Sequence, residues 1–240
     1  DRAVMAGVRG ALCLLGLGAA LALQSVAERR VTSAAPETQH SLMVCNAYAH
    51  DAPLNIVRAS SSQSLTADDP LRFGECRSLL LRLREGEELE FKTGRLNIGT
   101  FAATGLPQVT STLLVVPVRR SVSSLEARFR THAFVDLDAA QVVVMDTYQG
   151  AAEAAQVDIR AASGDAEGED LPFDAVAALQ PGAYRTSLVD AASRVVRALP
   201  LRATAGSKHV VLRVGGPGTD SSAEPVAQDL VVFTQVAAAA

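Results

Sequence analysis

The chain has no tryptophan, and among its 240 residues only three are tyrosine and seven phenylalanine. Its cores must therefore be built from Val, Leu, Ile and Ala, and the base-stacking platforms of single-strand binders are missing. Positive charge is also short. Lys and Arg number 22 against 26 Asp and Glu, a formal net charge of -4, which excludes the basic stripe of a nucleic-acid binder. Three cysteines, Cys13, Cys45 and Cys76, are too few for a disulfide framework. Cys13 lies in an apolar run, so Cys45 and Cys76 are either two small core residues or one bridge, and a bridge implies an oxidising compartment. The four histidines, His40, His50, His132 and His209, lack metal-ligand spacing. No Gly-x-Ser-x-Gly elbow is present, and no glycine loop leads from a strand into a helix to cradle phosphate. Gly215-Gly216-Pro217-Gly218 follows a strand, but its Pro and polar tail make it a flexible turn.

What is present begins with an apolar run, Gly10 to Leu23, preceded by Arg9 and followed by Glu28-Arg29-Arg30. It suits a cleaved leader or a short membrane helix. The small-xxx-small pairs Gly16/Ala20 and Gly18/Ala22 favour a retained helix packed against other membrane helices. Residues 1–30 are therefore read as an N-terminal transmembrane helix, and Gly16, Gly18, Ala20 and Ala22 as its packing face. Arg2 and Arg9 balance Arg29 and Arg30, so charge does not set its orientation. Residues 31–41 carry Ser, Thr and Pro without periodicity and read as a linker.

From Ser41 the pattern is all-β: short Val, Leu, Ile and Phe runs divided by turn signals. The stretch Val142–Tyr148 repeats Leu42–Tyr48, with an apolar run, then Asp or Asn, a small residue and Tyr. The repeat continues in order. Leu54-Asn55-Ile56 matches Val157-Asp158-Ile159, Leu71-Arg72-Phe73 matches Leu171-Pro172-Phe173, the turn at Gly86 matches that at Gly182, and Leu114–Val118 matches Val210–Val214. Two tandem immunoglobulin-like sandwiches follow, at residues 42–138 and 139–236, with 237–240 as a tail. Ala127–Val135 alternates as a half-buried closing strand, with Leu230–Gln235 as its counterpart, while Ser60–Pro70 and Ser163–Asp170 read as polar loops. Pro181-Gly182 reads as a type II turn.

Asn46 and Asp146, each late in the first strand of its half, are expected to cap local backbone groups, and Tyr48 and Tyr148 to anchor core edges. A metal site from His50, Asp51 and Asp146 is conceivable from the residue types but ranks well below those structural roles. Arg77, Arg82 and Arg84, with Arg72 nearby, form a basic cluster that is either a solvated strand face or a dock for an acidic partner or lipid headgroup.

Asn46-Ala47-Tyr48-Ala49-His50-Asp51-Ala52-Pro53 and the following Leu71-Arg72-Phe73-Gly74 resemble the opening of a widespread bacterial surface β-sandwich domain. In tandem the pattern is similar to the periplasmic helper proteins of alginate acetylation, non-catalytic partners of a membrane acyltransferase. The second copy lacks the Asp-Ala-Pro. A second resemblance rests on Leu113–Arg120, Phe129–Phe134 and Ala140–Gly150, which look like the central segment of dinoflagellate-lineage proteins that are lumen-facing accessory subunits of photosynthetic membrane complexes. That resemblance implies a thylakoid-membrane subunit of a photosystem I type complex with its antenna, with lumenal sandwiches on core and antenna subunits. It implies contact with membrane lipid, no cofactor of its own beyond peripheral contact with neighbouring chlorophyll or carotenoid, and no catalysis. The alternative setting is the bacterial periplasm or secretion, beside a polysaccharide-modifying complex.

Overall fold

The computed structural model describes residues 38–79, 81–121, 123–150, 154–163, 169–217 and 225–236. The expected membrane helix, with Gly16, Gly18, Ala20 and Ala22, and the 237–240 tail lie outside them. Among the described residues no helix is long and apolar enough to cross a membrane.

The described residues form sixteen strands and no helix. The first eight are β1 (His40–Cys45), β2 (Leu54–Arg58), β3 (Gln63–Ser64), β4 (Cys76–Leu79), β5 (Glu87–Thr93), β6 (Leu96–Ala103), β7 (Ser111–Arg119) and β8 (Ala127–Val135). The second eight are β9 (Ala140–Asp146), β10 (Ala155–Ala161), β11 (Glu169–Leu171), β12 (Val176–Leu179), β13 (Gly182–Asp190), β14 (Val195–Ala203), β15 (Lys208–Gly216) and β16 (Val226–Gln235). They make four sheets: β4-β1-β7-β8, β3-β2-β5-β6, β12-β9-β15-β16 and β11-β10-β13-β14. Adding eight to each strand number of the first pair gives the second pair, so the internal repeat holds strand for strand. In each half one pair is parallel, β1 with β7 and β9 with β15, and the other pairings are antiparallel.

Alternation explains the outer sheets. In β5, Leu89, Phe91 and Thr93 point inward while Glu88, Glu90 and Lys92 point away. Leu42, Leu54, Leu89, Phe91 and Val115 share the first core between its two sheets, and Val142, Val157, Leu188, Leu201 and Val211 share the corresponding core of the second half. The wiring differs from an immunoglobulin constant domain, which places its first two strands in one sheet. Here β1 and β2 lie in opposite sheets. The likeness is one of paired sheets, not of strand order.

Sequence reading gave each half its own core and missed a third. Met43, Cys45, Leu114, Val116 and Phe134 of the first half pack with Val143, Met145, Val210, Leu212 and Val214 of the second. The β1/β7 and β9/β15 sheets therefore lie back to back, and every residue of β7 and β15 is buried. Buried on both faces, these strands read as near-continuous apolar runs. The Arg128, Arg130, His132 side of β8 accordingly turns toward the second half: Arg130 Nη1 donates to Asp146 O at 2.5 Å, and Arg130 also pairs with Asp174. The described residues form one compact unit.

Four further expectations need correction. The polar stretches 60–70 and 163–170 contain the short edge strands β3 and β11, too brief and too polar to show a period. The first strand begins at His40, inside the expected linker. Gly182 is not a left-handed turn residue. It opens β13, paired with Ala203, and is absent from the positive-φ glycines. Gly215 and Gly216 are not a free turn but the bulged end of β15, at φ 125 and 143. A Cβ on Gly215 would sit 2.6 Å from Ala227 O. Gly215→Ala is therefore expected to cost about 1–3 kcal/mol of stability, read by urea unfolding, because both backbone strain and a rigid contact oppose it.

Candidate functional site

The groups most capable of chemistry are held in local structural roles. Asn46 Oδ1 accepts from Tyr48 N at 3.0 Å, and Asp146 Oδ1 accepts from Tyr148 N at 3.0 Å. The two halves thus repeat one Asx-type cap at the end of their first strands, as the sequence expectation had it. Tyr48 donates to Leu125 O at 2.7 Å, and its ring lies 6.0 Å from the Arg119 guanidinium carbon. Burial raises the Tyr48 pKa, with nearby Arg119 acting in opposition. Arg213, 3% exposed, lies 4.3 Å over the Tyr148 ring, donates to Gln228 and pairs with Asp146 Oδ2 at 3.3 Å. His50 Nδ1 accepts from Ala52 N at 2.9 Å and lies 3.0 Å from Thr93 Oγ1. His50, Asp51 and Asp146 are not brought together: among the described residues no group of three metal-ligating side chains occurs.

Cys45 and Cys76 are joined by a disulfide. Their pairing in the β1–β4 register brings the Cα atoms to 3.9 Å. The bridge ties a four-residue edge strand to the sheet beside the third core, where Cys76 and Phe73 pack.

The basic cluster divides. Arg77 Nη2 pairs with Asp69 at 2.6 Å, and Arg72 stands exposed, its backbone N–H bound to Glu75. Arg82 and Arg84 instead line a groove of about 650 Å³ with Arg58, Glu85 and Glu87. Arg58 Nε and Glu87 Oε1 are 2.6 Å apart, without the alignment of a hydrogen bond. Glu85 accepts from Gly105 N and Leu106 N at 2.7 and 2.9 Å, and these bonds hold its pKa down, that to Leu106 foremost. Adjacency in sequence suggests one patch, but Arg77 lies in the edge strand β4 while Arg82 and Arg84 follow its end.

One polar cluster escaped sequence reading. It lies where β1, β7 and β15 begin. His40 Nδ1 is 2.8 Å from Ser111 Oγ, and Ser41 Oγ is 2.9 Å from Thr112 Oγ1. Lys208 Nζ, 8% exposed as a residue, donates to Thr112 Oγ1 at 2.8 Å and to Asp136 Oδ1 at 2.6 Å. No short motif encodes it, since its members come from both halves. The only available sign was a Lys at the start of a strand that is mostly apolar.

His209 is fully buried in the second half between Ser207 Oγ and Thr234 Oγ1, each at 2.8 Å. Ser207 gives its proton to Thr204 O, so it accepts from His209 Nε2–H, and Nδ1 takes the Thr234 proton. Burial lowers the His209 pKa from 6.5 to about 4. A depressed histidine weakens the fold only where the unfolded chain binds the extra proton. The loss should therefore begin below pH 6.5 and grow to about 3 kcal/mol by pH 4. The stability difference between parent and His209→Asn, from urea unfolding, is expected to shrink by that amount across the window. An unchanged difference would sink the assignment.

No protein-family model matches the chain, and no curated protein matches it.

Proposed function

We propose that the chain is a non-catalytic, membrane-anchored accessory subunit of a multi-subunit membrane complex, its double immunoglobulin-like sandwich serving as a docking body. The observation that supports this best is the use made of its reactive groups. Asn46, Asp146, Tyr48, His50, His209 and Arg213 are each spent on a cap, a core contact or a buried hydrogen bond. The setting is the thylakoid membrane, with the body in the lumen against core and antenna subunits of a photosystem I type complex, as the sequence resemblance implies. Residues 1–30 supply the anchor, and the groove at Arg82 and Arg84 is the face offered to an acidic partner.

The test is co-migration of the full chain with a chlorophyll-bearing complex on a native gel after mild detergent extraction. Arg84→Glu is expected to reduce that co-migration while leaving the unfolding temperature unchanged. Release of the whole body by alkali, with residues 1–27 missing from its mass, would defeat the anchored reading. The disulfide favours one other reading. The bacterial periplasm sustains such bonds, and a partner of a polysaccharide-modifying complex there would bring down an acyltransferase and no pigment.

A further inference from the structure

The gap between the back-to-back sheets has two unlike ends. At one, Arg130 reaches Asp146 O and Asp174, and Gln149 reaches Arg119 O, so side chains of each half close the seam on the other. At the opposite end the apolar contact of Met43, Leu114 and Val210 stops. It gives way to Ser41, Thr112 and Lys208, and the seam opens into a cleft of about 560 Å³. Gluing two sheets together would require only more apolar residues here, and desolvating an ammonium opposes stability unless its partners compensate.

The cleft's chemistry is specific. Gln39, Thr110 and the half-buried Ser41 bring polar groups able to donate and accept, while Ser111 and Thr112, both buried, are bonded to His40, Ser41 and Lys208 and hold the floor in place. Charge is balanced, with Lys208 bound to Asp136, and Arg82 and Asp138 on the same walls. Leu137 and Val236, 53% and 66% exposed, form an apolar rim. The size falls within the range of small-ligand sites. A charged ligand would have to displace one member of a neutral pair. A neutral ligand bearing several hydroxyls, with C–H faces between them, meets the exposed Gln39, Thr110 and Asp136 at the mouth and apolar side chains at the rim.

We propose that this inter-repeat cleft is a binding site for a neutral saccharide of one or two rings. It shares only Leu81 and Arg82 with the docking groove, and its experiment uses variants of neither, so the two readings fail separately. The test uses the full chain with maltose, cellobiose and N-acetylglucosamine, and with glucuronate as the charged comparison, read by saturation-transfer NMR and titration calorimetry. At least one neutral sugar is expected to bind with a Kd near the millimolar range, as suits a wet polar cleft. Thr112→Val, which unseats Ser41 and Lys208, and Asp136→Asn, which takes an exposed carboxylate from the mouth, are each expected to weaken it about tenfold. Because Thr112 is buried, the exposed rim variant Leu137→Asp is included, and it should weaken binding with the unfolding temperature unchanged. No saturation transfer from any neutral sugar at roughly 10 mM overturns the proposal. So does binding that all three variants leave intact, or a preference for glucuronate.

Discussion

Replacing Leu114 by alanine is expected to lower the unfolding free energy of the whole described body by about 2–5 kcal/mol, in one transition and not two. Leu114 is fully buried, and its neighbours in the third core come from both halves: Met43, Val116 and Phe134 on one side, Val143, Val210 and Leu212 on the other. A truncation there leaves a cavity between the repeats, which neither sandwich can close alone. Two independent sandwiches would behave differently, with the first half melting early and the second keeping its parental transition. Urea unfolding followed by two probes decides between them: Tyr48 fluorescence in a chain whose other two tyrosines are replaced by Phe, and hydrogen exchange of β13 amides. Coincident midpoints, shifted together, are the expected result. A β13 exchange rate that ignores Leu114→Ala would mean that the halves fold separately despite their shared core.

The repeat was the most legible feature of the chain because it is carried by runs that both halves must bury. Val142–Tyr148 over Leu42–Tyr48 placed β9 on β1, and the paired Asx caps at Asn46 and Asp146 gave the same match a chemical basis. The back-to-back seam was written in the sequence too. Leu113–Val118 and Val210–Val214 show no polar alternation, which is what burial on both faces requires. Alternation in β8 pointed the other way, because Arg128, Arg130 and His132 resemble a solvated face. Arg130 is instead a clamp, its charge met by Asp174 across the seam. The strands β3 and β11 were illegible for a simpler reason: two or three residues at a sheet edge, mostly polar, are held by their neighbours' ladders, not by a pattern of their own. The polar cleft was illegible because Ser41, Thr112, Asp136 and Lys208 converge only once two repeats are folded against each other.

Removing the Cys45–Cys76 bridge is expected to cost about 3.5 kcal/mol, or roughly 10 °C in Tm for a domain of this size. The cystines are 31 residues apart, and in the unfolded chain the bridge closes a loop containing β2 and β3. Lost loop entropy sets that magnitude. The place of the bridge decides what fails first. The edge strand β4 is four residues long and pairs only with β1 among the described strands, through Leu42–Leu79 and the three following pairs down to the cystine. Without the bridge its end beside Phe73 and Val231 can lift, which uncovers the flank of the third core and so weakens the seam as well as the first sandwich. Cys45→Ala with Cys76→Ala should therefore lower the urea midpoint and raise hydrogen exchange in β1 and β4 before β13. Parent protein unfolded in urea and alkylated without reductant should be modified at neither Cys45 nor Cys76, and after reduction at both, because unfolding exposes the otherwise buried Cys45. Alkylation of Cys45 and Cys76 in the unreduced unfolded chain would show two thiols and remove the basis for an oxidising compartment.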